Sequence, residues 1–174
     1  MALTRIGTSA YSTLDATKLV GNLPSISGAS LTGITTGKVL QLVNGTTTSS
    51  FTTSSGSFGT VGINLNITPS ATSSKILLLF SATVDTSASG RQGDLTIWRE
   101  ISSSNIALNG NGFMQLYNSA GRNVGSGTFN YYDSPSTTNQ ILYRVAARSN
   151  TGTEINIGAN TGGTITLTAI EVGA

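Results

Sequence analysis

The sequence predicts an all-β chain: a jelly-roll-like β-sandwich over residues 38–174, preceded by an extended N-terminal arm over residues 1–37. Three observations predict it. Beyond Gly37, apolar residues recur with a period of two or in short runs, in roughly eight to ten segments set apart by Gly, Pro, Asn and Ser. No helical period survives past that point. Finally, 51 of the 174 residues are Ser or Thr, types that suit strands (Thr) and turns (Ser).

The segments follow in order. Residues 39–43 (VLQLV) make a first strand, which Asn44-Gly45 closes. Val61, Ile63, Leu65 and Ile67 alternate with Gly62, Asn64, Asn66 and Thr68, as a strand with one buried face does, and Pro69 ends it. Residues 75–84 (KILLLFSATV) are nearly all apolar, so this strand should be covered on both faces. Residues 95–101 lead through a turn at 102–105 into a hairpin partner at 106–108. Residues 113–117 and 128–132 are aromatic strands separated by Gly121, Gly125 and Gly127. Ile141, Tyr143, Val145 and Ala147 alternate with Leu142, Arg144, Ala146 and Arg148. A short strand at 153–157 and a last one at 164–172 (TITLTAIEV) complete the series. Short strands at this spacing read as a β-sandwich of the jelly-roll kind. The arm differs. Pro24 and five glycines break it into extended pieces, with one helical turn at 12–15 closed by Gly21. Fully extended it reaches on the order of 120 Å, and it has no core of its own.

Composition limits the chemistry. There is no cysteine and no histidine, so disulfides, thiolate metal sites and the commonest general base are excluded. Charged residues are 9% of the chain, against about 25% in a typical soluble domain. The nine Lys and Arg residues exceed the seven Asp and Glu by only two, and they are scattered. Nucleic-acid binding needs clustered cations, so none is expected. The longest apolar run, residues 76–80, is too short to cross a membrane, and no secretory signal pattern follows Met1. Gly33 to Lys38 falls one residue short of a phosphate loop, with Val39 where a magnesium-binding hydroxyl is required. No cofactor, metal or catalytic residue is expected.

The carboxylates Asp15, Asp85, Asp94, Glu100, Asp133, Glu154 and Glu171 show no spacing that marks a glycosidase pair. Glu100 is expected to pair with its neighbour Arg99 on the surface. Asp85 and Asp94 bracket a loop that could hold calcium, but it lacks the EF-hand pattern and reads as solvated. The candidate ligand contacts are Trp98, Arg122 and Asn123 in a glycine-bounded loop, and Tyr131 and Tyr132. Adjacent strand residues face opposite ways, so one tyrosine belongs to the core and the other to the surface. In the last strand Ile165 and Leu167 fall on one face, Ile170 and Val172 on the other, so the outer face needs a cover.

Residues 16–34 (ATKLVGNLPSISGASLTGI) resemble the linker repeats of tail fibres of tailed bacteriophages. Residues 37–41 (GKVLQ), 67–77 (ITPSATSSKIL) and 167–171 (LTAIE) resemble the heads of marine-phage and cyanophage fibre-like proteins. The resemblance implies a non-enzymatic virion protein assembled in the host cytoplasm. It implies a homotrimer anchored to another virion protein through residues 1–37, whose β head can meet host surface polysaccharide. Because only one short linker copy is present, a capsid decoration protein stands beside the short fibre. A polysaccharide-degrading fibre tip and a free lectin-like module are the readings from other classes.

Overall fold

The computed structural model describes residues 38–86, 88–158 and 163–173. The expected arm, with its helical turn and its anchoring role, lies outside these residues. Within them the chain forms eleven strands and no helix: β1 (Val39–Thr47), β2 (Phe51–Thr53), β3 (Gly59–Ile67), β4 (Lys75–Thr86), β5 (Arg91–Ile101), β6 (Ser104–Ala107), β7 (Met114–Asn118), β8 (Asn123–Asp133), β9 (Ile141–Ser149), β10 (Ile155–Ile157) and β11 (Ile165–Val172).

All pairings are antiparallel. In the first sheet β4 is central. Its Lys75 to Ser81 stretch pairs with β11 on one edge, and its whole Ile76 to Thr86 length pairs with β8 on the other. The sheet therefore reads β1–β11–β4–β8, with β10 and β2 extending from the far end of β4 beside β11. The second sheet reads β3–β9–β5, and β6 and β7 share the outer edge of β5. Successive strands pass from sheet to sheet: β1 to β3, back to β4, across to β5, back to β8, across to β9 and back to β11. That order is the double Greek key of a jelly roll. The expected fold class is the observed one.

The alternation read from the sequence explains the core. In β3, β4, β9 and β11 every second side chain is buried: Val61, Ile63, Leu65 and Ile67; Ile76, Leu78, Phe80, Ala82 and Val84; Ile141, Tyr143, Val145 and Ala147; Ile165, Leu167 and Ala169. Each large apolar side chain so buried contributes roughly 1.5–3 kcal/mol. Toward the β7–β8 margin the core turns aromatic. Phe80 and Phe129 lie 4.8 Å apart between ring centroids, and Phe113 packs on both Phe129 and Tyr131.

Four expectations need correction. Asn44-Gly45 does not close the first strand, because its ladder with β11 runs on to Thr47 opposite Ile165. Gly125 and Gly127 do not separate strands; they lie within β8, in unbroken register with Val84 and Ala82. The hairpin turn is tighter than expected: Ser102 and Ser103 both take positive φ, at 49° and 67°, and β6 begins at Ser104. Two such residues give the twist that a two-residue hairpin needs. Nor is β4 covered on both faces. Its inner row is buried, but among the described residues Leu79 is left exposed and Leu77 half-buried on the outer side.

Polar groups close the sandwich where the apolar core ends. Tyr143, fully buried, donates to Asp133 at 2.5 Å, and Arg99 reaches the other oxygen of the same carboxylate at 2.6 Å. Burial, and then that bond to a carboxylate, push the Tyr143 phenol far above its ordinary range. At the end of β11, Glu171 points inward and has no exposure. It accepts from Gln41 Nε2 at 2.6 Å and from the Ser70 backbone N–H at 2.6 Å, tying β11 to β1 and to the β3–β4 connection. Burial raises the Glu171 carboxyl, but the nearby Ser74 hydroxyl and the bonds from Gln41 and Ser70 together outweigh it and hold the group below its ordinary value.

Tyr143→Phe should therefore cost about 1–3 kcal/mol in urea unfolding, since Asp133 stays buried with one donor fewer. Glu171 gives a pH dependence of definite sign. Its folded pKa is the lower one, so the unfolded chain takes up the proton first. The stabilisation should be complete above the ordinary glutamate range, fade as pH falls through the folded value, and be absent from the pH profile of Glu171→Gln.

Candidate functional site, an uncharged sheet face

The register across the first sheet places its outward side chains in rows. One row runs Leu42, Ile170, Leu77, Tyr132 across β1, β11, β4 and β8. The next runs Asn44, Thr168, Leu79, Asn130, and the third Thr46, Thr166, Ser81, Thr128. At the near end Val39 stands opposite Val172. Leu42 is 60% exposed, Tyr132 55% and Leu79 39%, while Leu77 and Ile170 are half-buried between them. The result is a contiguous apolar patch grading into hydroxyls and amides. Asn44 Nδ2 donates to Thr168 Oγ1 at 2.7 Å, which holds the second row together.

None of the three rows carries a charge; Lys75, beside Val172, marks the border. The second sheet's outer face is the opposite case. There Arg144 pairs with Glu100, and Arg148 with Asp94 at 2.8 Å. The Arg148 guanidinium also lies over the Phe58 ring, 4.5 Å from its centroid. The two faces of one sandwich thus differ in kind. Charged residues are depleted from the cores of protein interfaces, and monomeric proteins rarely leave apolar patches of several hundred Å2 in water.

The candidates read from the sequence do not come together. Trp98 lies on the charged sheet, half-buried between Arg144 of β9 and Ala107 of β6. Arg122 forms an ion pair with the buried Asp85, with Nη2 2.9 Å from Oδ2. That hydrogen bond, and the charge of Asp85, raise the Arg122 pKa. Asn123 opens β8 and is exposed. Tyr131 turns inward against Phe113 and Tyr132 outward, as their adjacency requires. Only Tyr132 belongs to the uncharged face.

The expected Arg99–Glu100 pair is not formed. Neighbours in a strand face opposite sides, so Arg99 reaches inward to Asp133 and Glu100 outward to Arg144. The loop bracketed by Asp85 and Asp94 gathers no acidic cluster among the described residues: Asp85 is taken by Arg122, and Asp94 by Arg148 and Asn150. Sequence reasoning missed Leu42 and its neighbours Val39 and Leu40. Their signal was an apolar residue on each face of the first strand.

No family model matches the chain, and no curated protein matches it. Among solved structures it is similar to one from the infectious bursal disease virus Gx strain, with a TM-score of 0.41 and 12% identity over 77% of this chain and 40% of that one. It is also similar to a mutant VP2 protein of the same virus in derived T=1 particles, with a TM-score of 0.36 and 12% identity over 76% of this chain and 39% of that one. The chain thus spans about 40% of the length of these proteins. The fold assignment rests on the strand order itself, not on likenesses of this size.

If the outer rows are dispensable to the sandwich, Leu42→Thr with Leu79→Thr should leave the unfolding free energy of a dilute, monomeric head within about 0.5 kcal/mol of the parent. Leu78→Ala, one position away but inward, should cost about 2–5 kcal/mol in the same urea titration.

Proposed function

We propose that this chain is a structural protein of a virus particle, a short fibre of a tailed bacteriophage. Residues 1–37 mount it on another virion protein. The jelly-roll head associates as a homotrimer through the uncharged outer face of the β1–β11–β4–β8 sheet, and the rest of the head is free to meet the host surface.

The observation that carries this reading is the row Leu42, Ile170, Leu77, Tyr132 lying open on a sheet whose inner face is fully packed. Apolar side chains in that position need a cover, and closed cyclic symmetry between identical chains is the usual way to supply one. A surface without charge meets copies of itself without repulsion. The number three comes from the resemblance of residues 16–34 to fibre linkers.

A structural role also agrees with how the acids are used. Asp85, Asp94, Asp133 and Glu100 each hold an arginine, and Glu171 is held by Gln41 and Ser70. Glycoside hydrolysis needs one carboxyl as acid and another as base or nucleophile, set across a cleft. Among the described carboxylates Glu154 alone has neither an arginine nor burial, and it accepts from Asn156 Nδ2 at 3.3 Å, which leaves no pair free for that chemistry.

Mass spectrometry of purified particles, with immunogold labelling to locate the chain, tests the virion assignment; absence of the chain from particles would end it. Native mass spectrometry tests the assembly. The intact chain should be a trimer at micromolar concentration. Ile170→Asp should shift it to monomer with its strand content retained, because a carboxylate buried without a partner costs several kcal/mol. A wild-type monomer would overturn the trimer.

A further inference from the structure

The two sheets end side by side at one margin of the sandwich, where β7 closes one and β8 the other. A cleft of about 230 Å3 opens between them. Its inner end is apolar, formed by Val84 and the half-buried Leu116. Its mouth is bordered by Gln115, Tyr117, Asn123 and Ser126, all exposed and neutral, with the Gln115 amide donating to Asp94 Oδ1 at 3.3 Å.

Two glycines explain why the cleft is open. Gly127 is needed for packing: a Cβ there would lie 2.5 Å from Met114 Cε and 2.9 Å from Val84 Cγ1. Gly125 has the same parity and lines the cleft, yet a Cβ there would meet nothing within 4 Å. Nor does its backbone require glycine, since its φ lies outside the left-handed region. Packing does not demand the missing side chain; leaving it out keeps the space empty. β8 is otherwise unbroken in its register with β4.

The lining selects a class of ligand. No lining residue is charged, and the charges beside it are paired, Asp85 with Arg122 and Asp94, which accepts from Gln115, with Arg148. A floor of Val84 and Leu116 beside the buried Thr86, with a rim of amides, a hydroxyl and one tyrosine, suits a ring with one hydrocarbon face and several hydroxyl groups. The volume is below the roughly 300–1,000 Å3 typical of sites for drug-sized ligands, so it takes one ring and not a chain. We propose that this cleft binds one neutral sugar residue of a surface polysaccharide. The inference rests on the reading of the head as exposed to the host surface. Of the ligand contacts expected from the sequence it takes in Asn123 alone, and not Trp98, Arg122, Tyr131 or Tyr132.

The test is saturation-transfer NMR on the intact chain. The probes are methyl glucoside, methyl galactoside and methyl N-acetylglucosaminide, with methyl glucuronide as the charged control. At least one neutral glycoside should bind with a millimolar dissociation constant. Gly125→Leu, which fills the space, and Tyr117→Ala, which removes the ring, should each weaken it by about tenfold or more. Strand content and oligomeric state should not change. The site is overturned if no neutral glycoside binds in that range, if Gly125→Leu binds as the parent does, or if the glucuronide binds as well as the neutral sugars. The virion reading fails separately: a chain found in particles that binds no sugar overturns only the cleft, and a sugar-binding chain absent from particles overturns only the virion assignment.

Discussion

Everything in the head hangs on β4 being paired along both edges at once. Pairing with β11 and β8 leaves β4 two faces and no free edge, so its inward row, Ile76, Leu78, Phe80, Ala82 and Val84, becomes the floor of the core. The inward rows of β3, β5 and β9 close over it from the second sheet. A side chain in a strand cannot choose its face once the register is set. The same register therefore fixes the outward row, and Leu77 and Leu79 face outward because Ile76 and Leu78 face inward. The patch on the outer face and the core beneath it are two consequences of one alignment.

Charge is rationed in the same geometry. A jelly roll has two ends where the apolar layer stops, and buried carboxylates stand near them. Asp133 meets Arg99 and Tyr143, Asp85 meets Arg122, and Glu171 meets Gln41 and Ser70. Unpaired, any of these would be costly to bury. With so few ionisable residues in the chain, using them as fasteners and on the second sheet leaves the first sheet's outer face with none along its three rows. What solvates that face is threonine, serine and asparagine. Neutral hydroxyls let it meet water without carrying a charge that a protein partner would have to bury.

The two candidate surfaces arise differently. The uncharged face is a large, flat product of strand alternation, suited to a protein partner. The cleft at the β7–β8 margin is small and depends on one residue, Gly125, that omits a side chain the packing could accommodate. The cleft adjoins the uncharged face rather than standing apart from it: Ser126, on its rim, is two positions from Thr128 of the third row along β8.

The sequence by itself determined the fold class and the inward rows. A period of two in residues 61–67, 141–148 and 164–172 states which side chains share a face, whatever the topology turns out to be. It also determined that Tyr131 and Tyr132 part company. The same rule, applied to Arg99 and Glu100, would have ruled out their pairing. Tertiary structure decided the partners. That Glu100 meets Arg144, that Leu42 joins Ile170, Leu77 and Tyr132, and that Gly125 faces a gap while Gly127 faces Met114 all depend on which strands lie side by side. Alternation is a local property of the backbone and is written along the chain. Adjacency between strands as distant as Leu42 and Ile170 is set by the packing of whole sheets, and no short window of residues contains it.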